Sequence, residues 1–525
     1  SNKTAVISVH ESIQKSFRDL DEEVDKLSHS LVNKLALKKG DVVALWSGNA
    51  YTWLLIQYAC ARIGLILCTL NPVYKAAELE YSLQKSGAKA LFLPNSNSKQ
   101  CIVNNFTKVL NDTKLNDSNL EQIVFIDGDD KPLIGNLKAH LLYDLVQEGT
   151  SGEILEEEVD PDDPAIIMFT SGTTGKPKGA VLSHNNLATN AGFTASRLSL
   201  KQQSTIACIP VPLFHIFGMV YGSVMMSKIG MTIVLTGYRY KVDAVVDAIN
   251  KHNCSHIMMV PAMTVDILNY VERNGKELSS LKTVITGSAP TPVEVAKKFL
   301  NKVKSTEEFL IRYGSTETGG CMTMPLQGEG PSQTIDNVGK PLDYVEIKIV
   351  DPKSLKIQKL NEQGELWARG HNVMLGYWND KEKTAEAITP SGWFRTGDTA
   401  TMDENGRIKL VGRVKEMIIR GGENIYPKEI EELLHKHPSI YEAFVCGVPD
   451  ERMGEEICAW VKLKDGCDNV KEDDIKKFCK DKISYFKVPR YVLFVDEFPR
   501  TPTGKAQKFL MTQQSCQMLG IEYKK

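Results

Sequence analysis

Residues 169–179 read Phe169, Thr170, Ser171, Gly172, Thr173, Thr174, Gly175, Lys176, Pro177, Lys178 and Gly179, a run holding three glycines, four hydroxyl side chains and two lysines. Hydroxyls and main-chain N–H groups donate to phosphate oxygens, lysines supply countercharge, and glycines let the backbone wrap closely around the anion. The composition is suited to phosphate. It is not the Walker A arrangement, which needs glycine at 170 and serine or threonine at 177, where this chain has Thr170 and Pro177. An ordinary P-loop ATPase is therefore set aside.

Four further motifs follow in order. They are Tyr313, Gly314, Ser315, Thr316, Glu317; then Gly392, Trp393, Phe394, Arg395, Thr396, Gly397, Asp398; then Gly412, Arg413, Val414, Lys415, Glu416; and finally residues 499–505, Pro-Arg-Thr-Pro-Thr-Gly-Lys, ending at Lys505. Taken singly, Glu317, Tyr313, Asp398 and Lys505 read better as solvated, core or turn residues than as functional ones. Together, in this order and at these spacings, the motifs resemble those of the adenylate-forming superfamily: acyl-CoA synthetases, firefly luciferase and peptide-synthetase adenylation domains. The resemblance covers essentially the whole chain.

The resemblance implies a reaction in two halves, with a carboxylate first joined to AMP at the expense of ATP and a thiol then displacing AMP. Bringing an anion to a polyanion calls for fixed donors and positive charge. Thr170, Ser171, Gly172, Thr173, Thr174, Gly175, Lys176 and Lys178 would hold the β- and γ-phosphates. Glu317 would ligate Mg²⁺, a hard cation that takes oxygen ligands. Tyr313, with Gly314 and Thr316, would stack on adenine beside the small residues Gly287, Ser288, Ala289 and Pro290. Asp398 would accept from the ribose hydroxyls and Arg413 donate to them, fifteen residues apart. Lys505 would place a compact charge on the oxygens shared by carboxylate and α-phosphate. His215 would sit beside the carboxylate. Lys415 would be the pivot about which a carboxy-terminal domain swings, bringing Arg420, Gly421, Gly422 and Glu423 inward as the pantetheine passage of coenzyme A.

For the acid itself, residues 256–263 (His-Ile-Met-Met-Val-Pro-Ala-Met) and 319–322 (Gly-Gly-Cys-Met) suggest a flexible apolar cavity suited to an alkyl chain. The segment 212–218 carries no acid to pair a substrate amino group, which disfavours amino-acid activation. Runs beginning at Leu70 (Leu-Asn-Pro-Val-Tyr), Met374 (Met-Leu-Gly-Tyr-Trp), Met417 and Arg452 are similar to those of medium-chain acyl-CoA ligases of a mitochondrial type. Departures are confined to Glu416, where Asp is frequent, and Ser315, where Thr or Met is common. The expected function is a fatty-acid–CoA ligase using ATP, Mg²⁺ and coenzyme A. A CoA ligase for an aromatic or other carboxylate, and a non-catalytic acyl- or nucleotide-binding relative, stay open as alternatives.

Several elements must position these residues. Strand-like runs at 42–46, 90–93, 122–126, 165–169, 232–235, 256–260, 283–286 and 308–312 alternate with helical patterns such as 241–251 and 292–302, which predicts α/β architecture with largely parallel sheets and ligands beyond strand C-termini. From 337 to 410 the texture turns to short strands with glycine turns. Residues 428–495 then read α, β, β, α, β. The expected organisation is a large amino-terminal domain (1–411) of two doubly wound sheets with a β-barrel-like subdomain (336–411), a hinge at 412–415, and a small mobile α+β domain (416–525).

The bulk properties fit an enzyme of small molecules. Hydrophobic residues make up 42% and charged residues 24% of 525, as in globular proteins. A net charge of −2 gives no electrostatic footprint for nucleic acid. Residues 53–70 contain Gln57, Arg62 and Gly64 and read as helix, stop and strand rather than a transmembrane segment. Eleven dispersed cysteines point to a reducing compartment. The resemblance implies the mitochondrial matrix, with the cytoplasm as alternative. No signal peptide is visible, and a chain beginning at Ser1 is compatible with a removed targeting segment. The sequence is silent on oligomeric state.

Overall fold

The computed structural model describes all residues but 96–117, 133, 151–157, 171–176, 199, 201–204, 290, 421, 422, 468, 481, 502–504, 524 and 525. The chain forms two compact units. The first takes Ser1–Ser288, Lys298–Glu346 and Ala368–Phe394; the second takes Ala289–Lys297, Ile347–Trp367 and Arg395–Lys525.

Two large sheets build the first unit. One runs from Gly376–Tyr377 through Lys178–Ser183, Pro164–Thr170, Ile66–Leu70, Val42–Trp46, Ala90–Leu93 and Gln122–Phe125 to Lys138–Leu141. From Pro164–Thr170 onward every pairing is parallel. Lys178–Ser183 and Gly376–Tyr377 extend the opposite edge antiparallel. Val42–Trp46 and Ile66–Leu70 are buried at all five positions, as strands covered on both faces must be. The helix Tyr51–Arg62 makes the crossover between them, with Trp53 and Leu54 fully buried.

The second large sheet orders Glu308–Ile311, Thr283–Thr286, His256–Met259, Ile206–Cys208, Thr232–Leu235, Thr4–Ser8 and Ile13–Ser16. It is parallel except for the final hairpin. Strands expected at 42–46, 90–93, 232–235 and 283–286 occur residue for residue, and the mixed α/β class with largely parallel sheets holds. Among the described residues no helix is long and apolar enough to cross a membrane, and every cysteine is free of a disulfide.

The second unit rests on two smaller sheets. Val345–Val350, Gly364–Gly370, Phe394–Met402 and Ile408–Arg413 lie side by side in chain order. The other is dominated by the antiparallel ribbon of Ile440–Asp450 and Gly454–Leu463, flanked by Ile418–Arg420, Glu423–Ile425 and the parallel strand Tyr491–Phe494. The period of two divides that ribbon into two cores. Val445 and Ile457 meet Ile430, Leu434 and Ile475 on one face, while Cys446, Cys458 and Trp460 meet Met511 and Cys516 on the other. The expected α, β, β, α, β order is present. The helix Lys508–Leu519, which covers the second face, was not among the sequence expectations.

Candidate active site

Glu317 lies in the single turn Thr316–Thr318 beyond the strand Glu308–Ile311, with Ser315 and Thr318 capping one another. The segment after Gly370 is strapped against this turn. Asn186 Nδ2 donates to the carbonyls of His371 and Val373 at 2.6 and 3.1 Å. Met374 N–H then donates to the Glu317 carbonyl at 2.9 Å. The short strand Gly376–Tyr377 follows, paired with Val181 and Ala180.

That pairing completes a small polar constellation. Thr170 closes its strand and faces Lys178 across the antiparallel register. Thr170 Oγ1 donates to Glu317 Oε1 at 3.2 Å, and the Tyr377 hydroxyl donates to the same oxygen at 3.1 Å. The Lys178 ammonium sits 4.1 Å from the centre of the Tyr377 ring, a cation–π distance. Burial, with the neighbouring Glu317 carboxylate, holds the Tyr377 phenol well above the ordinary tyrosine range, so it stays a protonated donor. The structure thus brings Thr170, Lys178 and Glu317 together, although Glu317 lies 147 residues from Thr170 in the chain. Residues 171–176, with Ser171, Gly172, Thr173, Thr174, Gly175 and Lys176, lie outside the described residues.

A second cluster surrounds Arg312, which was not a sequence candidate. Its guanidinium is buried, with Nη2 donating to Ser288 Oγ at 3.1 Å, Nη1 to the Gly320 carbonyl, and the Phe217 ring centre 3.9 Å away. One side chain therefore ties three candidate segments together. Gly287 is glycine for lack of room, since a Cβ there would fall 2.8 Å from Arg312 Nε. Ser288 takes a left-handed φ of 69°, strained for a residue with a Cβ and held by that hydrogen bond. Tyr313 is half-buried and pinned by paired main-chain bonds with Thr323 at 3.0 and 3.1 Å, with Gly314 next to it. Ala289 follows Ser288, and Pro290 lies outside the described residues.

His215 caps the short helix Ile216–Gly218, its Nδ1 accepting from Phe217 N–H at 3.3 Å. The loop before it is fixed by Asn49, which accepts from Leu213 N–H at 2.8 Å, and by Thr69, which donates to the Phe214 carbonyl at 2.9 Å. Of the expected acyl-pocket residues, Met258, Met259, Cys321 and Met322 are fully buried.

In the second unit, Asp398 and Arg413 are direct partners in the antiparallel register of Phe394–Met402 and Ile408–Arg413, with Oδ1 and Nε 3.1 Å apart. Asp398 N–H donates to Thr396 Oγ1, which donates in turn to the Leu366 carbonyl, and this fixes the turn entering Asp398. The 3-10 turn Val414–Glu416 follows directly; the side chain of Lys415 is outside the described residues. Lys508 Nζ reaches Glu431 at 2.7 Å and Glu416 at 3.5 Å, tethering that turn. Arg420 is turned into its own domain, bidentate to the buried Glu456 at 2.6 and 3.1 Å. Gly421, Gly422 and the side chain of Glu423 lie outside the described residues. Lys505 is exposed on a hairpin closed by Thr501 N–H to the Lys505 carbonyl at 2.8 Å; residues 502–504 are outside the described set.

Sequence reasoning missed Tyr377, Arg312 and Lys508. For Tyr377 the available signal was Gly376, whose φ of 149° is a glycine conformation, set just before an aromatic residue. Arg312 gave a weaker one, a charge at the end of an apolar strand, Phe309 to Ile311.

The family model described as AMP-binding enzyme matches residues 1–378, and that described as AMP-binding enzyme C-terminal domain matches 429–505. The chain is 39% identical over 532 residues to the medium-chain acyl-CoA ligase ACSF2, mitochondrial, of Danio rerio, spanning 99% of this chain and 87% of that protein. ATP-bound MatB from Rhodopseudomonas palustris superposes with a TM-score of 0.84 at 26% identity, covering 98% of this chain and 96% of its own. The o-succinylbenzoate CoA synthetase MenE from Bacillus subtilis, in complex with its acyl-adenylate intermediate, gives 0.80 at 26% identity, covering 97% and 95%.

Proposed function

This chain belongs to the AMP-binding enzyme family, and on that premise we propose that it is a fatty-acid–CoA ligase with medium-chain preference. In the first half-reaction a fatty-acid carboxylate attacks the α-phosphorus of ATP. The bond from that phosphorus to the oxygen bridging the β-phosphate breaks, giving acyl-AMP and pyrophosphate. In the second the thiol of coenzyme A loses its proton and attacks the acyl carbonyl, and AMP leaves with the electron pair of the broken C–O bond.

One observation carries this reading: Thr170, the last residue of the strand leading into the glycine-rich run, is hydrogen-bonded to Glu317. A carboxylate is thereby fixed at the entrance to a segment rich in phosphate donors. Among the described residues the hydrogen bonds to the Glu317 carboxylate all end on Oε1. A carboxylate oxygen left over beside a threonine hydroxyl is a donor set that fits a hard cation such as Mg²⁺. Bound there, Mg²⁺ would offset phosphate charge.

The remaining roles follow from the chemistry each step requires. Lys178 and the run 170–176 neutralise the β- and γ-phosphates. Tyr313 offers its ring to adenine. Asp398 accepts from the ribose hydroxyls, and Arg413 donates to them. His215 lies beside the acid, and Lys505 stabilises charge on the α-phosphate as the carboxylate arrives. We place the hinge at 412–415, the pantetheine passage at 420–423, and the protein in the mitochondrial matrix, a placement supported by the Danio rerio relative being named mitochondrial. Likeness to that relative supports the medium-chain preference.

The test is a pyrophosphate-release assay with ATP, Mg²⁺ and coenzyme A across short-, medium- and long-chain and aromatic acids. Medium-chain acids should give the highest kcat/KM, with AMP as the nucleotide product. Release of ADP, or turnover of aromatic acids alone, would overturn the proposal.

A further inference from the structure

We propose that Tyr377 is a positioning residue for Glu317: its hydroxyl engages one carboxylate oxygen so that the other stays directed at the metal accompanying the nucleotide. This rests on the reading of Glu317 as the metal-binding carboxylate. Glutamate has three rotatable side-chain bonds, and an exposed one would have to be ordered each time a cation arrived. Here the ordering is built in. The segment 374–377 grips Glu317 at both ends, Met374 N–H on its main-chain carbonyl and Tyr377 Oη on its carboxylate.

Tyr377 is itself held rigidly. The residue is 7% exposed. Its N–H donates to Thr384 Oγ1 at 2.9 Å, its carbonyl accepts from Asp380 N–H at 3.1 Å, and Thr384 Oγ1 donates to the Asp380 carbonyl at 2.7 Å. The preceding Gly376 has no room for a side chain, because a Cβ would lie 2.8 Å from Thr384 Cγ2. From this fixed backbone the side chain puts its hydroxyl on Glu317 and its ring face under Lys178. Tyr377 therefore couples the carboxylate to the basic residue at the far end of the phosphate run. Partners that orient a metal-binding side chain typically account for about 10–100-fold in metal affinity or activity.

Tyr377→Phe removes the hydroxyl and keeps the ring, its packing and its contact with Lys178. Three measurements test it: ATP affinity by calorimetry with and without Mg²⁺, the Mg²⁺ dependence of pyrophosphate release, and metal-free transfer from preformed acyl-AMP to coenzyme A. ATP affinity without metal should be unchanged. The gain on adding Mg²⁺ should fall about tenfold, and the Mg²⁺ needed for half-maximal release should rise by about the same factor. Transfer should keep the wild-type rate. In a Glu317→Gln background, Tyr377→Phe should add no further loss of metal response, since the two act through one carboxylate.

A wild-type metal response in Tyr377→Phe, or equal loss in both half-reactions with a lowered melting temperature, overturns the proposal and leaves Tyr377 as packing only. If Glu317→Gln itself keeps the wild-type metal response, the reading of Glu317 falls and the proposal with it. An altered response in Glu317→Gln beside an unaltered one in Tyr377→Phe removes the proposal alone.

Discussion

Asp398 Oδ1 lies 3.1 Å from Arg413 Nε, and the two residues stand directly opposite each other in one antiparallel pair. A hairpin thus delivers two motifs to one place. The Arg413 side chain is 45% exposed, and an ion pair open to solvent on that scale contributes below about 1 kcal/mol to stability. Stability is therefore a poor reason for holding these two side chains together, while recognition of a hydroxylated ligand is a good one. Asp398→Ala is expected to lower stability by less than about 1 kcal/mol. It should also raise KM for ATP about 10–100-fold, the worth of hydrogen bonds to a charged group. Urea unfolding and initial-rate kinetics on one preparation separate the two effects. Loss of activity only in step with loss of folded protein would remove the ribose assignment.

Lys505 has the opposite profile, an exposed ammonium on a closed hairpin. Lys505→Ala should change stability by no more than about 0.5 kcal/mol, as surface substitutions do. Acyl-AMP formation should fall about 10²–10³-fold, the scale of deleting one charge-stabilising donor. Transfer from preformed acyl-AMP to coenzyme A should stay near the wild-type rate. Rapid-quench measurement of each half-reaction decides it, and equal loss in both would end the idea that this lysine serves adenylation alone.

The legibility of this chain divides along physical lines. A strand such as Val42–Trp46 was readable because double-sided burial leaves an unbroken apolar run, and Gly64 marks where the helix before Ile66–Leu70 stops. The phosphate run, Glu317, Asp398, Arg413 and Lys505 were readable because their chemistry is compressed into short motifs. Tyr377 and Arg312 were not. What each does depends on partners 60 residues away in one case and 24 in the other, and a single sequence carries no signal for such contacts. The helix Lys508–Leu519 escaped because its apolar residues do not fall on one stripe: Met511, Ser515 and Cys516 make its buried face.

Lys508 gives that helix its second attachment. Burial by itself would depress the ammonium, but Glu431 and Glu416 more than offset it and leave Lys508 above the ordinary lysine value. Removing one member of a buried ion pair strands the other, at a cost of about 3–5 kcal/mol. Lys508→Ala should lower the thermal midpoint of the full chain accordingly, whereas Lys508→Arg should recover much of the loss. A melting temperature unchanged in Lys508→Ala would show that the charge cluster is not structural.

His256 makes the stability of the first unit depend on pH. It opens the strand His256–Met259 inside a parallel sheet, Ser255 Oγ 2.8 Å from Nδ1, and burial pushes its imidazole down to about 4. In the unfolded chain the same group titrates near its ordinary value of about 6.5. Between these two values the unfolded state binds the proton and the folded state does not, so stability falls as pH drops through that window and levels off below about 4. The full difference corresponds to about 3 kcal/mol. Other half-buried histidines, His184 and His371 among them, are shifted the same way by burial and add to the slope, so the comparison must be between variants. His256→Asn cannot take up that proton, and its urea-derived stability should lose less than the wild type between pH about 7 and about 4.5. The two stability curves should converge as the solution is acidified. Parallel curves would mean that His256 is protonated in the folded protein as readily as in the unfolded one.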